Sequence, residues 1–199
     1  MSRTERLANG KFYHLFNRGI DGCDLFKEHD NYKYFLNLYE KHIDPIADTY
    51  AWVLMKNHFH FLVRIKDPSD LPGFKNLEGL NNKPLHQYFS NLFNAYTKAF
   101  NKKYSRTGSL FEKNFHRKSI NNLEYLKKVI VYIHQNPVHH RFCISASDYP
   151  WSSYQTCIAL KHTRLKRDAV IGWFDNLGNF TYRHEQKTEA DKIEKWLEI

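Results

Sequence analysis

His58 and His60 flank a single phenylalanine in the run HFHFLVR. In a strand, successive side chains alternate, so both imidazoles would point to one face and Phe59 to the other. Two imidazoles on one face can hold one divalent cation. The same pattern arises when two polar residues sit on the solvated side of a half-buried strand. The strand-forming flanks VLMKN and FLVR leave both readings open. A third ligand would have to come from elsewhere in the chain.

A second constellation lies in YIHQNP. Tyr132 and Asn136 are four residues apart and share a helical face. A phenol attacks only once its proton is removed, and its ordinary pKa of about 10 makes it a poor nucleophile at neutral pH. A neighbouring cation would favour the phenolate and neutralise charge on a phosphate. Taken alone, Tyr132 has a plainer reading in a chain with 13 tyrosines: a half-buried ring with its hydroxyl at the rim.

Between Asn101 and Lys128 stand Lys102, Lys103, Arg106, Lys113, Arg117, Lys118, Lys127 and Lys128, opposed by Glu112 and Glu124. Most of the net charge of +9 therefore sits in one stretch. Tyr104, Phe111 and Phe115 interleave with it, a mixture that suits base stacking plus phosphate contact. A solvated helix end and loop would carry the same charges. The stretch from Lys102 to Lys118 is the main candidate DNA contact. Arg18 and Arg64 are further ones, and alternation puts Arg64 on the strand face of His58 and His60.

These residues need a scaffold. With 199 residues, 42% hydrophobic and 26% charged, the chain can build a packed core, which excludes global disorder. No stretch reaches the roughly 18 apolar residues that would span a bilayer. The N-terminus lacks the apolar core and small-residue cleavage site of a secretory signal. Cys23, Cys143 and Cys157 are widely spaced, without a CxxC pair. They read as reduced thiols of a cytoplasmic protein rather than a disulfide framework.

The patterning predicts a strand over Lys11 to Asn17 and a helix from Glu28 to about His42, ended before Pro45. A hairpin of Thr49 to Met55 and Phe59 to Ile65 follows, turning at Lys56 and Asn57. Asp67 to Lys83 reads as a loop, Pro84 to about Lys103 as a long helix, and Phe115 to Ile120 as a short strand. A further helix runs from Asn122 to Gln135, with Asn122 as N-cap and Pro137 helping to end it. The segment from Glu185 to Ile199 has helical composition. Strand, helix, strand, strand, helix, strand is the split pattern of a ferredoxin-like antiparallel sheet, an α+β fold with helices on one face. On this reading residues 1–154 form the main domain and 155–199 a helical C-terminal extension.

The motifs YHLFNRG, AWVLMKNHFHFLVR, RTGSLFEKNFHRKS, YIHQNPV and DYPWSSY follow one another at suitable spacings. Together they make the chain resemble the single-tyrosine HUH transposases, and within them the REP-associated tyrosine transposases, from about Lys11 to Tyr154. The resemblance implies that His58 and His60 are the metal-binding pair, that Asn136 is the third ligand and that Tyr132 is the nucleophile. It implies Mg²⁺ or Mn²⁺ as cofactor and single-stranded or hairpin DNA as partner. Relatives include monomers and intertwined dimers, so a homodimer is open. Two departures stand out: Lys56, where relatives often have proline, and His139-His140, where Arg is common. The implied reaction is cutting and rejoining of DNA through a 5′-phosphotyrosine, which conserves the phosphodiester bond energy and needs no P-loop. The rival readings are a non-catalytic nucleic-acid binder on the same sheet, and an HUH replication initiator or relaxase.

Overall fold

Four strands, β1 (Phe12–Arg18), β2 (Ala47–Leu54), β3 (His58–Ile65) and β4 (His116–Ile120), form one antiparallel sheet in the order β2-β3-β1-β4. With the intervening helices α1 (His29–His42) and α2 (Leu85–Lys103), this is the ferredoxin-like arrangement that the element order predicts. The computed structural model describes residues 5–67, 83–186 and 190–197. Of the loop expected between Asp67 and Lys83, only its two ends fall within the described residues. Among the described residues, no helix is long and apolar enough to cross a membrane.

The hairpin turn is held from outside. Leu25 and Phe26 both donate their backbone N–H to Lys56 O, and Gly19 donates to Asn57 O at 2.8 Å. Gly19 has to be glycine: a Cβ there would lie 2.0 Å from Cys23 O. The turn before His58 is therefore pinned to the chain that follows β1.

β3 is buried along nearly its whole length, so both faces of the sheet need cover. Helices α1 and α2 cover one face. Phe35, Tyr39, Phe89 and Tyr96 meet Phe59, Phe61 and Val63 there, and the Tyr39 and Phe61 rings stack 4.2 Å apart. The opposite face carries α3 (Leu123–His139), whose Val129, Ile130 and Ile133 pack on Val53, Leu62 and Ile120. Four shorter helices, α4 (Tyr154–Ile158), α5 (Arg167–Trp173), α6 (Leu177–Glu185) and α7 (Ala190–Leu197), complete that side. Val170, Phe180 and Ile193 from the last three, with Phe174 just after α5, join the core of α3.

Asn122 caps α3 as expected, its side chain accepting from Glu124 N and Tyr125 N. Pro137 does not end the helix, however. It lies inside the last turn, and α3 continues to His139. The proline φ is compatible with a helix. His140 N–H still reaches Asn136 O at 3.0 Å, so the turn closes around the missing donor.

A buried polar chain seats α3 on the sheet. Trp52 N–H donates to Ser153 Oγ at 2.8 Å, and Ser153 Oγ lies 2.7 Å from His134 Nε2. His134 Nδ1 lies 2.9 Å from His184 Nε2, and His184 Nδ1 lies 2.7 Å from Phe180 O. A carbonyl can only accept, so His184 carries its proton on Nδ1. Its Nε2 then accepts from His134 Nδ1–H, and His134 Nε2 accepts from the Ser153 hydroxyl. Every link is satisfied, and the chain ties β2, α3 and α6 together.

Candidate active site

Alternation along β3 turns His58 and His60 to one face, as the strand reading requires, and that face lies under α3. In the sheet register Arg18 lies opposite His58, and Phe16 opposite His60. From the other side α3 lowers Tyr132 and Asn136 onto the pair. Asn136 Oδ1 is 3.0 Å from His58 Nε2. The Tyr132 ring meets His60 edge to face at 5.5 Å between centroids. A cavity of about 360 Å³ opens here, lined by Arg18, His58, His60, Glu112, His116, Tyr132, His140 and Glu194 among others. The four residues expected to do the chemistry thus meet at one place.

They are more deeply set than the sequence suggested. A solvated strand face would leave His58 and His60 exposed, and the plainer reading of Tyr132 would keep its hydroxyl at a rim. They are only 8%, 3% and 2% exposed. The reason is α3, which closes a face that the strand pattern alone leaves open. Burial pushes His58 down to about 4 and His60 well below its usual value, so both rings are neutral, the form that ligates metals. Burial also pushes the Tyr132 phenol up, reinforced by Glu194 and opposed by a hydrogen bond with Asn136 and by Arg18.

Depressed histidines have a measurable consequence. His58 is lowered to about 4, His184 to about 4 and His14 to about 3, in each case first by burial. In the unfolded chain the same groups take up protons near 6.5. Their stabilising contribution is complete above that pH and is lost as pH falls toward 4. At pH 5 the loss should be on the order of 1–2 kcal/mol per group. The urea midpoint should therefore fall steadily from pH 7 to pH 5. A flat midpoint across that range would contradict the burial of these rings.

The donor set suits a cation. His58 has an amide oxygen at each nitrogen: Asn57 Oδ1 at 2.8 Å from Nδ1 and Asn136 Oδ1 at 3.0 Å from Nε2. A neutral ring has one proton, so one of these contacts sets lone pair against lone pair. Either an amide turns over or a cation stands between the two donors. Two adjacent donors of an octahedral ion with bonds of about 2.1 Å stand about 3.0 Å apart, which matches the His58–Asn136 separation. Among the described residues no three His, Cys, Asp or Glu side chains form a metal cluster. The candidate set of His58, His60 and the Asn136 amide is of another composition.

No protein-family model and no curated protein matches the sequence. Solved structures do. The chain shares its fold with a REP-associated tyrosine transposase. That protein was solved bound to a REP hairpin, and the two superpose with a TM-score of 0.62 over 80% of this chain and 87% of that one. At 18% identity the likeness is one of fold.

On this transposase-like fold the candidate DNA contacts divide. Arg18 lines the cavity. Arg64 shares the strand face but pairs opposite Phe12, at the other end of β3 from His58. Six residues of strand put it roughly 20 Å away. Lys103 is ion-paired with Glu28 at 2.6 Å, and Arg106 is tied to Asn101 Oδ1 and Ser109 O in the turn after α2. Lys102 stands in the last turn of α2. Lys113 and Arg117 line a larger groove of about 630 Å³ between α2 and β4. Alternation on β4 turns Lys118 to the opposite face from Arg117, beside the Trp196 ring. The basic stretch is thus distributed around the fold rather than laid in one strip.

Several site residues were not found from the sequence. His14 lies in the quoted YHLFNRG motif, and β1 alternation would have placed it on the face of Phe16 and Arg18. Glu112, His116 and His140 are separated from the His pair by long stretches of chain. Glu194 comes from α7, and no local pattern ties it to Tyr132.

Proposed function

We propose that this chain is a divalent-metal-dependent DNA endonuclease and strand transferase that cuts and rejoins single-stranded or hairpin DNA through Tyr132. The observation that carries this reading is the convergence of Tyr132, His58 and His60 on one cavity that Arg18 also lines, with Asn136 Oδ1 3.0 Å from His58 Nε2. His58, His60 and Asn136 would hold Mg²⁺ or Mn²⁺. When bound, the ion would favour the phenolate and neutralise charge on the scissile phosphate.

The residues themselves orient and move the proton. Asn136 hydrogen-bonds the Tyr132 hydroxyl and fixes its direction. Glu194 lines the same cavity and acts on that hydroxyl, and it would accept the phenol proton. The Tyr132 oxygen then attacks phosphorus. A bond from that oxygen to phosphorus forms as the bond to the 3′ oxygen breaks, and the departing strand leaves as a 3′-hydroxyl after taking up a proton. The protein keeps a 5′-phosphotyrosine, which the hydroxyl of the same or another strand can reverse. Glu112 borders both the cavity and the groove that holds Lys113, Arg117, Asn94 and Phe93. A single strand leaving the reacting phosphate would pass Glu112 around the β4 edge of the sheet to reach the cations and ring of that groove.

The test uses a DNA hairpin with a single-stranded flank, incubated with protein and Mn²⁺ or Mg²⁺. A 3′ label should stay with the protein through denaturing electrophoresis, while a 5′ label should appear on a shortened strand. Tight hairpin binding with no adduct in either cation would make the chain a binder rather than an enzyme. Position along the strand supplies a second check. Arg18→Ala should lower the log–log salt slope of single-strand binding by about 0.7, the value for one phosphate contact. Arg64→Ala, at the far end of β3, should leave the slope unchanged.

A further inference from the structure

His14 lies between β4 and β3 on the α3 face of β1, with no exposed surface. Its Nε2 is 3.0 Å from His60 Nδ1. The two ring planes are within 4° of parallel, with centroids 5.0 Å apart. Rings lying edge to edge in this way share a hydrogen bond in their common plane. The edge of Tyr132 also meets His14, at 6.2 Å between centroids. Yet His14 does not line the site cavity. It is placed to act on His60, not on a substrate.

The protons of this pair can be counted. Each neutral ring carries one proton on one of two nitrogens. Since His14 occupies His60 Nδ1, His60 has only Nε2 for the cavity. Suppose His60 presents a lone pair there. Its proton is then on Nδ1 and is donated to His14 Nε2, and His14 carries its own proton on Nδ1. In the reverse arrangement His14 Nε2–H donates to His60 Nδ1, and His60 turns an N–H into the cavity. Among the described residues, His14 Nδ1 is the buried side-chain polar atom that has no partner. It is unsatisfied in both arrangements, so it selects neither. What stands at His60 Nε2 decides between them.

We infer that His14 is a positioning residue for the metal centre, orienting His60 and accepting a hydrogen bond from its Nδ1–H at His14 Nε2, so that the lone pair on His60 Nε2 is free to bind a divalent cation. This rests on the metal reading of the site given above. Partners of this kind fix the tautomer of ligating histidines and raise their basicity.

The experiment measures Mn²⁺ binding to the full chain by electron paramagnetic resonance, without DNA, for wild type, His14→Leu and His14→Gln. Leucine fills the volume with no acceptor, whereas the glutamine amide oxygen can accept from His60 Nδ1–H. His14→Leu should weaken Mn²⁺ binding about 10- to 100-fold, and His14→Gln should restore most of it. Hairpin binding in EDTA should be equal for all three and serves as the check on folding. Imidazole nitrogen NMR of the wild type in Mg²⁺ should show the His60 proton on Nδ1. Equal Mn²⁺ affinity for His14→Leu and wild type overturns the inference, as does a His60 proton on Nε2 in Mg²⁺. If the leucine variant does not fold, the glutamine variant and the wild-type tautomer still decide it. Wild type that binds no Mn²⁺ sinks the metal reading itself, a failure distinct from variants that bind equally well.

Discussion

Tyr132→Phe is expected to leave hairpin affinity nearly unchanged and to reduce the covalent DNA adduct at least about 10³-fold, the scale on which loss of an attacking group is felt. The phenylalanine ring keeps the contacts with His14 and His60, since both are made by the ring and not by the hydroxyl. The fold should therefore survive, although Asn136 and Glu194 each lose a partner. Denaturing electrophoresis of 3′-labelled hairpin separates the outcomes. Adduct from the Phe variant at near wild-type level would remove Tyr132 from the chemistry. Tyr125, one heptad earlier and packed on the Trp196 ring, would then be the residue to test.

The second large effect should come from the histidine pair. The double variant His58→Ala, His60→Ala should lose Mn²⁺ binding and lower adduct formation by a comparable factor, because both imidazole ligands vanish together. Unlike a surface change, it should also reduce stability. His14 Nε2 loses its hydrogen-bond partner and joins Nδ1 as an unsatisfied buried atom. That should cost roughly 1–3 kcal/mol, apart from any cavity left behind. Hairpin binding in EDTA, measured beside a urea titration, distinguishes loss of the ion from loss of the fold. A double variant that still binds Mn²⁺ and forms adduct within tenfold of wild type would refute the assignment of His58 and His60.

Local periodicities carried much of this protein. Period two along HFHFLVR places His58 and His60 together because it depends only on the extended backbone. Period 3.6 along YIHQNP does the same for Tyr132 and Asn136. Asn122 as N-cap, the turn at Lys56 and Asn57, and the strand and helix order of a ferredoxin-like sheet follow from neighbours a few residues apart. The C-terminal end of α3 did not follow. Pro137 forbids a hydrogen bond, not a helix, and the packing of Val129, Ile130 and Ile133 holds its turn in place.

Which faces meet is a different kind of fact. Nothing in the strand pattern says that α3 lies over the histidines rather than solvent. That follows from where the apolar residues of α3 and the extension find cover, and it makes His58, His60 and Tyr132 buried and neutral. The same long-range pairing sets Arg18 opposite His58 while leaving Arg64 at the other end of β3, and it splits Arg117 from Lys118 across β4. It also brings in His14 and Glu194, which share no local pattern with the residues they touch. Backbone geometry repeats over a few residues and can be read along the chain. Burial is a property of surfaces brought together from distant segments, and it is burial that gives these imidazoles and this phenol their chemistry.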